Sequence, residues 1–155
     1  MRQKLYRQNG FTLVEVMITV GMLAVVLTGL IRLFIFCSYL SELSGNITLV
    51  MSEAQNKIEK IRNHSFVQIA TDYGSGGTPG NTFTVSGVNS RGVIYLNTTN
   101  ANLYEIDVVI CWIDKDGRVI GEDTNLNGVL DSGEDVNGNG KIDSQARITT
   151  LLARR

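Results

Sequence analysis

The stretch GFTLVEVMITVGMLAVVLTGLI, residues 10–31, decides the architecture. Its one charge is Glu15, and the next in the chain is Arg32. Ahead of it, MRQKLYRQNG carries three bases and no acid. About 20 residues of α-helix cross the roughly 30 Å of a bilayer core, and a basic flank stays on the cytoplasmic side. The chain is therefore expected to pass a membrane once, with its amino terminus inside and everything after about residue 40 outside the cytoplasm.

Two details separate this segment from a secretory signal. A signal peptide places small residues for cleavage after its apolar run, whereas the small residue here, Gly10, comes before it. Glu15 is also expensive, because an ionised carboxylate in hydrocarbon costs about 2.5 kcal/mol or more unless it meets a cation. GFTLVEVMI resembles the amino-terminal motif of type IV pilins and type II secretion pseudopilins. The resemblance implies cleavage after Gly10 by a prepilin peptidase and methylation of the new terminus at Phe11. It also implies that Glu15, fifth in the mature chain, neutralises the Phe11 amine of a neighbouring subunit, which is the cation the energetics require.

Beyond the membrane segment, Leu40, Leu43, Ile47, Val50, Ala54, Ile58 and Ile61 recur at spacings of three and four, making one apolar stripe on a continuing helix. Its other faces carry Glu42, Glu53, Lys57, Glu59, Lys60 and Arg62, with Glu53 and Lys57 spaced as a favourable i,i+4 pair. The run DYGSGGTPGN, residues 72–81, consists of turn formers and reads as an exposed connection. Strand patterns follow at 82–88, 92–96, 103–113, 118–120 and 146–153, with Asp114-Lys115-Asp116-Gly117 as a tight turn. Within 103–113, Tyr104, Ile106, Val108, Ile110 and Trp112 alternate against Glu105, Asp107, Val109 and Cys111, and the first set should face the helix. The expected fold is α+β, the pilin-like ladle that the resemblance implies. One long amino-terminal helix, about residues 11–63 with its first half transmembrane, packs on a small antiparallel sheet. The parts are a leader at 1–10, a membrane and assembly half of the helix at 11–40, and a globular head at 41–155 with an insertion at 121–144.

That insertion, GEDTNLNGVLDSGEDVNGNGKIDS, holds six acids against one base, while the rest of the chain is net positive. Within it, DTNLNGVLDSGE fits the twelve-residue calcium pattern D-x-[DN]-x-[DN]-G-x5-E. Asp123, Asn125 and Asn127 supply side-chain oxygens, Gly128 makes the sharp turn, and Val129 offers its carbonyl. Asp131 stands ninth and Glu134 twelfth. The pattern restarts at Asp135, with Asn137, Asn139, the Lys141 carbonyl and Asp143, but Ala146 occupies the twelfth place. The first loop reads as a site for one Ca²⁺ and the second as an incomplete site for another. Without flanking amphipathic helices, the segment resembles the bare calcium repeats of dockerin-type and thrombospondin-type modules. A disordered acidic linker would explain the acids and glycines but not their register over two periods. Outside the cytoplasm, an affinity of about 10⁻⁴ to 10⁻³ M suffices.

No nucleophile elbow, HExxH pattern or phosphate loop is present, so no catalytic residue is expected and the protein reads as a non-enzyme. No basic patch suggests nucleic acid. His64 and Trp112 read as structural, and Cys37 and Cys111 as two unpaired thiols. Two departures from the pattern of major pilins point to a minor subunit. Arg32 stands where a helix-kinking proline is common, Pro79 being the sole proline, and no carboxyl-terminal cysteine pair closes the last loop. AQNKIEKIRNHSF, residues 54–66, is similar to the corresponding part of PilV-like minor pilins and I-type pseudopilins. The implied partners are other pilin or pseudopilin subunits, the prepilin peptidase and methyltransferase, and the bacterial inner membrane. The implied location is that membrane, with the head periplasmic, and then the fibre. The alternative reading is an unassembled single-pass protein with a calcium-dependent adhesive head.

Overall fold

A computed structural model describes residues 10–154; the leader expected before Gly10 lies outside the described residues. Helix α1, Leu13–Arg62, contributes to two compact units that divide after Glu42.

In the first unit α1 is apolar on all sides. Val14, Met17, Val25, Ile31 and Phe34 are all exposed, and the helix is long and apolar enough to cross a membrane. A helix without a polar face requires lipid or other protein around it.

In the second unit the stripe on α1 narrows to Val50, Ala54, Ile58 and Ile61, all buried. They share one core with Ile94, Ile106, Val108, Ile110 and Trp112 of an antiparallel sheet. The central strand is β3, Leu103–Ile113. One edge of β3 pairs with β2, Ser90–Asn100, which in turn pairs with β1, Thr82–Phe83. The other edge pairs with β5, Ala146–Ala153, over Leu103–Ile110 and with β4, Val119–Ile120, over Trp112–Ile113. Residues 121–145 therefore leave the sheet at the end of β4 and return to the same edge as β5.

The expected helix-facing set on β3 does enter the helix core, with Trp112 fully buried. The strand expected at 92–96 extends over Ser90–Asn100, and other details differ or are added. The first strand is two residues long, because the Ser90 hydroxyl accepts the Val85 N–H at 3.0 Å and turns the chain out of the ladder. A short helix α2, Phe66–Asp72, precedes the glycine-rich connection; it sends Ile69 and the following Tyr73 into the core and stacks Phe66 on Tyr104. Lys57 sets its ammonium 4.2 Å over the Phe83 ring, while Glu53 still attracts it electrostatically. On the alternate face of β3, Asp107, Val109 and Cys111 are all buried.

Candidate functional site

Gly10 and Phe11 precede α1 in irregular, exposed chain, so the Gly10–Phe11 bond is accessible. Thr12 caps the helix. Its Oγ1 accepts the Glu15 N–H at 3.3 Å, and its carbonyl accepts the Val16 N–H at 3.2 Å. Glu15 thus sits exposed in the first turn, where a carboxylate also complements the helix dipole. The cap could be read from the Thr-x-x-Glu spacing, which satisfies the amide of one helix-starting residue.

The insertion 121–144 lies over the outer face of β3. Val93, Val109, Cys111 and Ile142 form a second buried cluster, with Tyr95, Leu126 and Leu130 packed against it. Three apolar side chains of the repeat, Leu126, Leu130 and Ile142, thus anchor it to the sheet, while Val129 and Val136 are exposed. Gly121 makes the close approach possible: its φ is +118°, and a Cβ there would lie 2.3 Å from Cys111 Sγ.

In the first loop, Asp123 is fully buried, and its two oxygens accept the N–H groups of Asn127 (3.0 Å) and Gly128 (2.8 Å). Gly128 has φ +81°, and a Cβ on it would meet Thr82 Cγ2 at 2.9 Å, so both conformation and space require glycine. Asn125 and Asn127 direct their amide nitrogens at Asp131 Oδ2, at 2.7 and 2.8 Å. Buried Glu134 closes the loop. Oε1 accepts the Thr124 hydroxyl and N–H at 2.6 and 2.8 Å, and Oε2 accepts the Asp131 N–H at 3.1 Å. The bond from the Thr124 hydroxyl, followed by that from the Asp131 amide, holds the Glu134 carboxyl below its ordinary range. Positions one, three, five, nine and twelve are therefore linked to one another and to the loop backbone by hydrogen bonds. Val129 keeps its place in the chain, its N–H bonded to Asn127 Oδ1 at 2.6 Å.

The second loop repeats this bonding. Asp135 accepts from Asn139 N (3.0 Å) and Gly140 N (2.9 Å), and Asn137 and Asn139 each donate to Asp143 Oδ2 at 2.6 Å. Lys141 N donates to Asn139 Oδ1 at 2.8 Å. The closing carboxylate comes from Glu122, whose Oε1 accepts Val136 N at 3.2 Å and Oε2 accepts Asp143 N at 2.9 Å. Sequence reading from Asp123 onward missed it. The signal was the pair Gly121-Glu122, which recurs twelve residues later as Gly133-Glu134.

Asp107 ties this second loop to the sheet. It is 1% exposed and accepts from Lys141 Nζ (3.1 Å), Arg147 Nε (3.2 Å), Arg147 Nη2 (2.6 Å) and the Thr149 hydroxyl. Burial pushes the Asp107 carboxyl up, but these bonds outweigh it and leave the group below its ordinary range. Arg147 also donates to Asp143 Oδ1. Among the described residues, no group of three or more His, Cys, Asp or Glu side chains is placed to hold a metal. A hard cation in either loop would therefore depend on amide and carbonyl oxygens as well, which is the donor mixture calcium accepts. The two thiols, Cys37 and Cys111, are both free.

Residues 5–31 match the family described as the prokaryotic N-terminal methylation motif. No curated protein and no solved structure matches the chain.

Proposed function

We propose, from an amino-terminal segment that is that of the type IV pilin and pseudopilin family, that the protein is a minor structural subunit of a type IV pilus or a type II secretion pseudopilus. The match at residues 5–31, with Gly10, Phe11 and Glu15 in register, carries the reading. Prepilin peptidase cuts after Gly10 in accessible chain, and Phe11 is methylated. The apolar first part of α1 holds the chain in the inner membrane and then packs among neighbouring helices in the fibre. Glu15, exposed in the first turn, neutralises the Phe11 amine of an adjacent subunit. The head then lies outside the cytoplasm, where calcium is plentiful. Calcium occupies the first loop through Asp123, Asn125, Asn127, the Val129 carbonyl, Asp131 and Glu134, and stiffens the excursion between β4 and β5. Support for the ion comes from the register of these residues in the twelve-residue calcium pattern and from Asp123, a fully buried carboxylate that forms no ion pair among the described residues.

Mass spectrometry of the protein from its native membrane tests the reading. A terminal peptide starting with N-methyl-Phe11, lost from fibres in Glu15→Ala, is expected. An unprocessed terminus together with indifference to Glu15 would instead leave a membrane-anchored binding protein.

A further inference from the structure

Arg32 is exposed on α1 and forms no ion pair among the described residues. Apolar helix lies on both sides of it. Residues 11–31 hold Glu15 as their one charge, and Leu33, Phe34, Ile35 and Phe36 beyond Arg32 are all exposed. With an apolar residue in place of Arg32 the run would extend over residues 11–36, about 38 Å of chain at the helical rise, against a hydrocarbon core of about 30 Å. Such an excess is accommodated by tilting or sliding at little cost, so hydrophobicity alone leaves the depth of the helix open. A guanidinium removes that freedom, because it is excluded from hydrocarbon.

The chain from Phe11 to Ile31 covers about 30 Å, so a helix that starts at one boundary of the core brings Arg32 to the other. Long side chains on a helix lean toward its amino end. Arg32 accordingly lines an open groove with Thr28 and Gly29, one turn back, and with Ala24 and Val25, two turns back. With the amino end inside, the guanidinium lies nearer the membrane centre than its own Cα, and it meets a polar layer only if Arg32 itself stands at the boundary. The anions of that layer are lipid phosphates, whose charge and geometry suit a guanidinium.

Resting on the membrane reading above, we infer that Arg32 binds the phosphates of the outer phospholipid leaflet and thereby sets the depth of α1, holding residues 33–40 out of the hydrocarbon. Cys37 then stands about 8 Å beyond Arg32, at the outer edge of the headgroup layer. It is exposed whereas Cys111 is buried, so Cys37 is the thiol that reports depth.

The test places the full chain in phosphatidylethanolamine–phosphatidylglycerol vesicles, dilute enough that copies do not meet. The rate at which Cys37 reacts with a charged, membrane-impermeant maleimide is read by mass spectrometry and normalised to the rate in detergent. Ready reaction is expected for the unaltered protein and, within about threefold, for Arg32→Lys. In Arg32→Leu the helix sinks or tilts and the rate falls at least tenfold. Equal rates for the unaltered protein and Arg32→Leu, or an Arg32→Lys rate as low as that of Arg32→Leu, overturn the anchor and leave the membrane reading standing. A fall seen only in native membranes that hold other pilin subunits would give Arg32 a neighbour's carboxylate instead and equally overturn it. A chain that does not float with the vesicles overturns both readings.

Discussion

On the face of β3 that meets α1, Ile106, Val108, Ile110 and Trp112 enter one large apolar core, whereas on the opposite face Asp107, Val109 and Cys111 lie beneath a segment rich in acids and amides. The first face is held by burial, which needs no particular ionic condition. The second has only a small apolar cluster, and most of its order comes from carboxylates that accept backbone N–H groups and from the Asp107 ion network. Burial on one side is thus combined on the other with order that depends on charge, and so on pH. A head of this kind can keep its helix–sheet frame while its outer segment responds to the medium.

Trp112→Ala should break the comparison most severely, since emptying so large a buried site costs about 3 to 5 kcal/mol. Denaturant unfolding of the full chain in detergent should give the same loss in calcium and in chelator. A loss that appears only in chelator would mean that the two faces are not independent. Asp107→Asn acts on the other face. It removes the charge shared by Lys141 and Arg147, and because both cations are partly exposed and can be rehydrated, the expected loss is about 2 kcal/mol. The folded carboxyl titrates below its unfolded value of about 3.9. Its contribution is therefore complete above that value and fades as the pH falls through the lower folded one. Acid unfolding of Asp107→Asn should lack this component; an unchanged acid profile would remove Asp107 from the account.

The sequence made the regular parts legible where a single period runs without interruption. Strands β3 and β5 begin and end where their alternation does, and α1 lies within two residues of its expected span, because long periodic segments carry many agreeing positions. Helix α2 has seven residues, too few for a period, and its place depends on Phe66 meeting Tyr104, a contact between distant parts of the chain. Alternation assigns Asp107 to the face away from the helix but does not say what covers that face. The covering residues, Leu126, Leu130 and Ile142, are single apolar positions inside an otherwise polar repeat. Glu122 was overlooked for a related reason. The calcium pattern is read forward from its first aspartate, whereas the second loop is closed by a residue that precedes the first.

Tyr95→Phe offers the smallest and most selective perturbation of the outer face. The Tyr95 hydroxyl accepts the Ile142 N–H at 2.8 Å, and Lys141 holds its ammonium 5.5 Å over the ring. Burial raises the Tyr95 pKa against the opposing effect of that amide bond, so the hydroxyl stays protonated and its oxygen remains available to Ile142 at neutral pH. Phenylalanine keeps the ring against Val93, Val109, Cys111 and Ile142 and loses only the acceptor, leaving a part-buried N–H unsatisfied at about 1 kcal/mol. Ile142 lies between Lys141 and Asp143 of the second loop and has no place in the first. The substitution should therefore lower the melting temperature by a few degrees. An unchanged melting temperature would mean that the Tyr95 hydroxyl does not help to hold the second loop on the sheet.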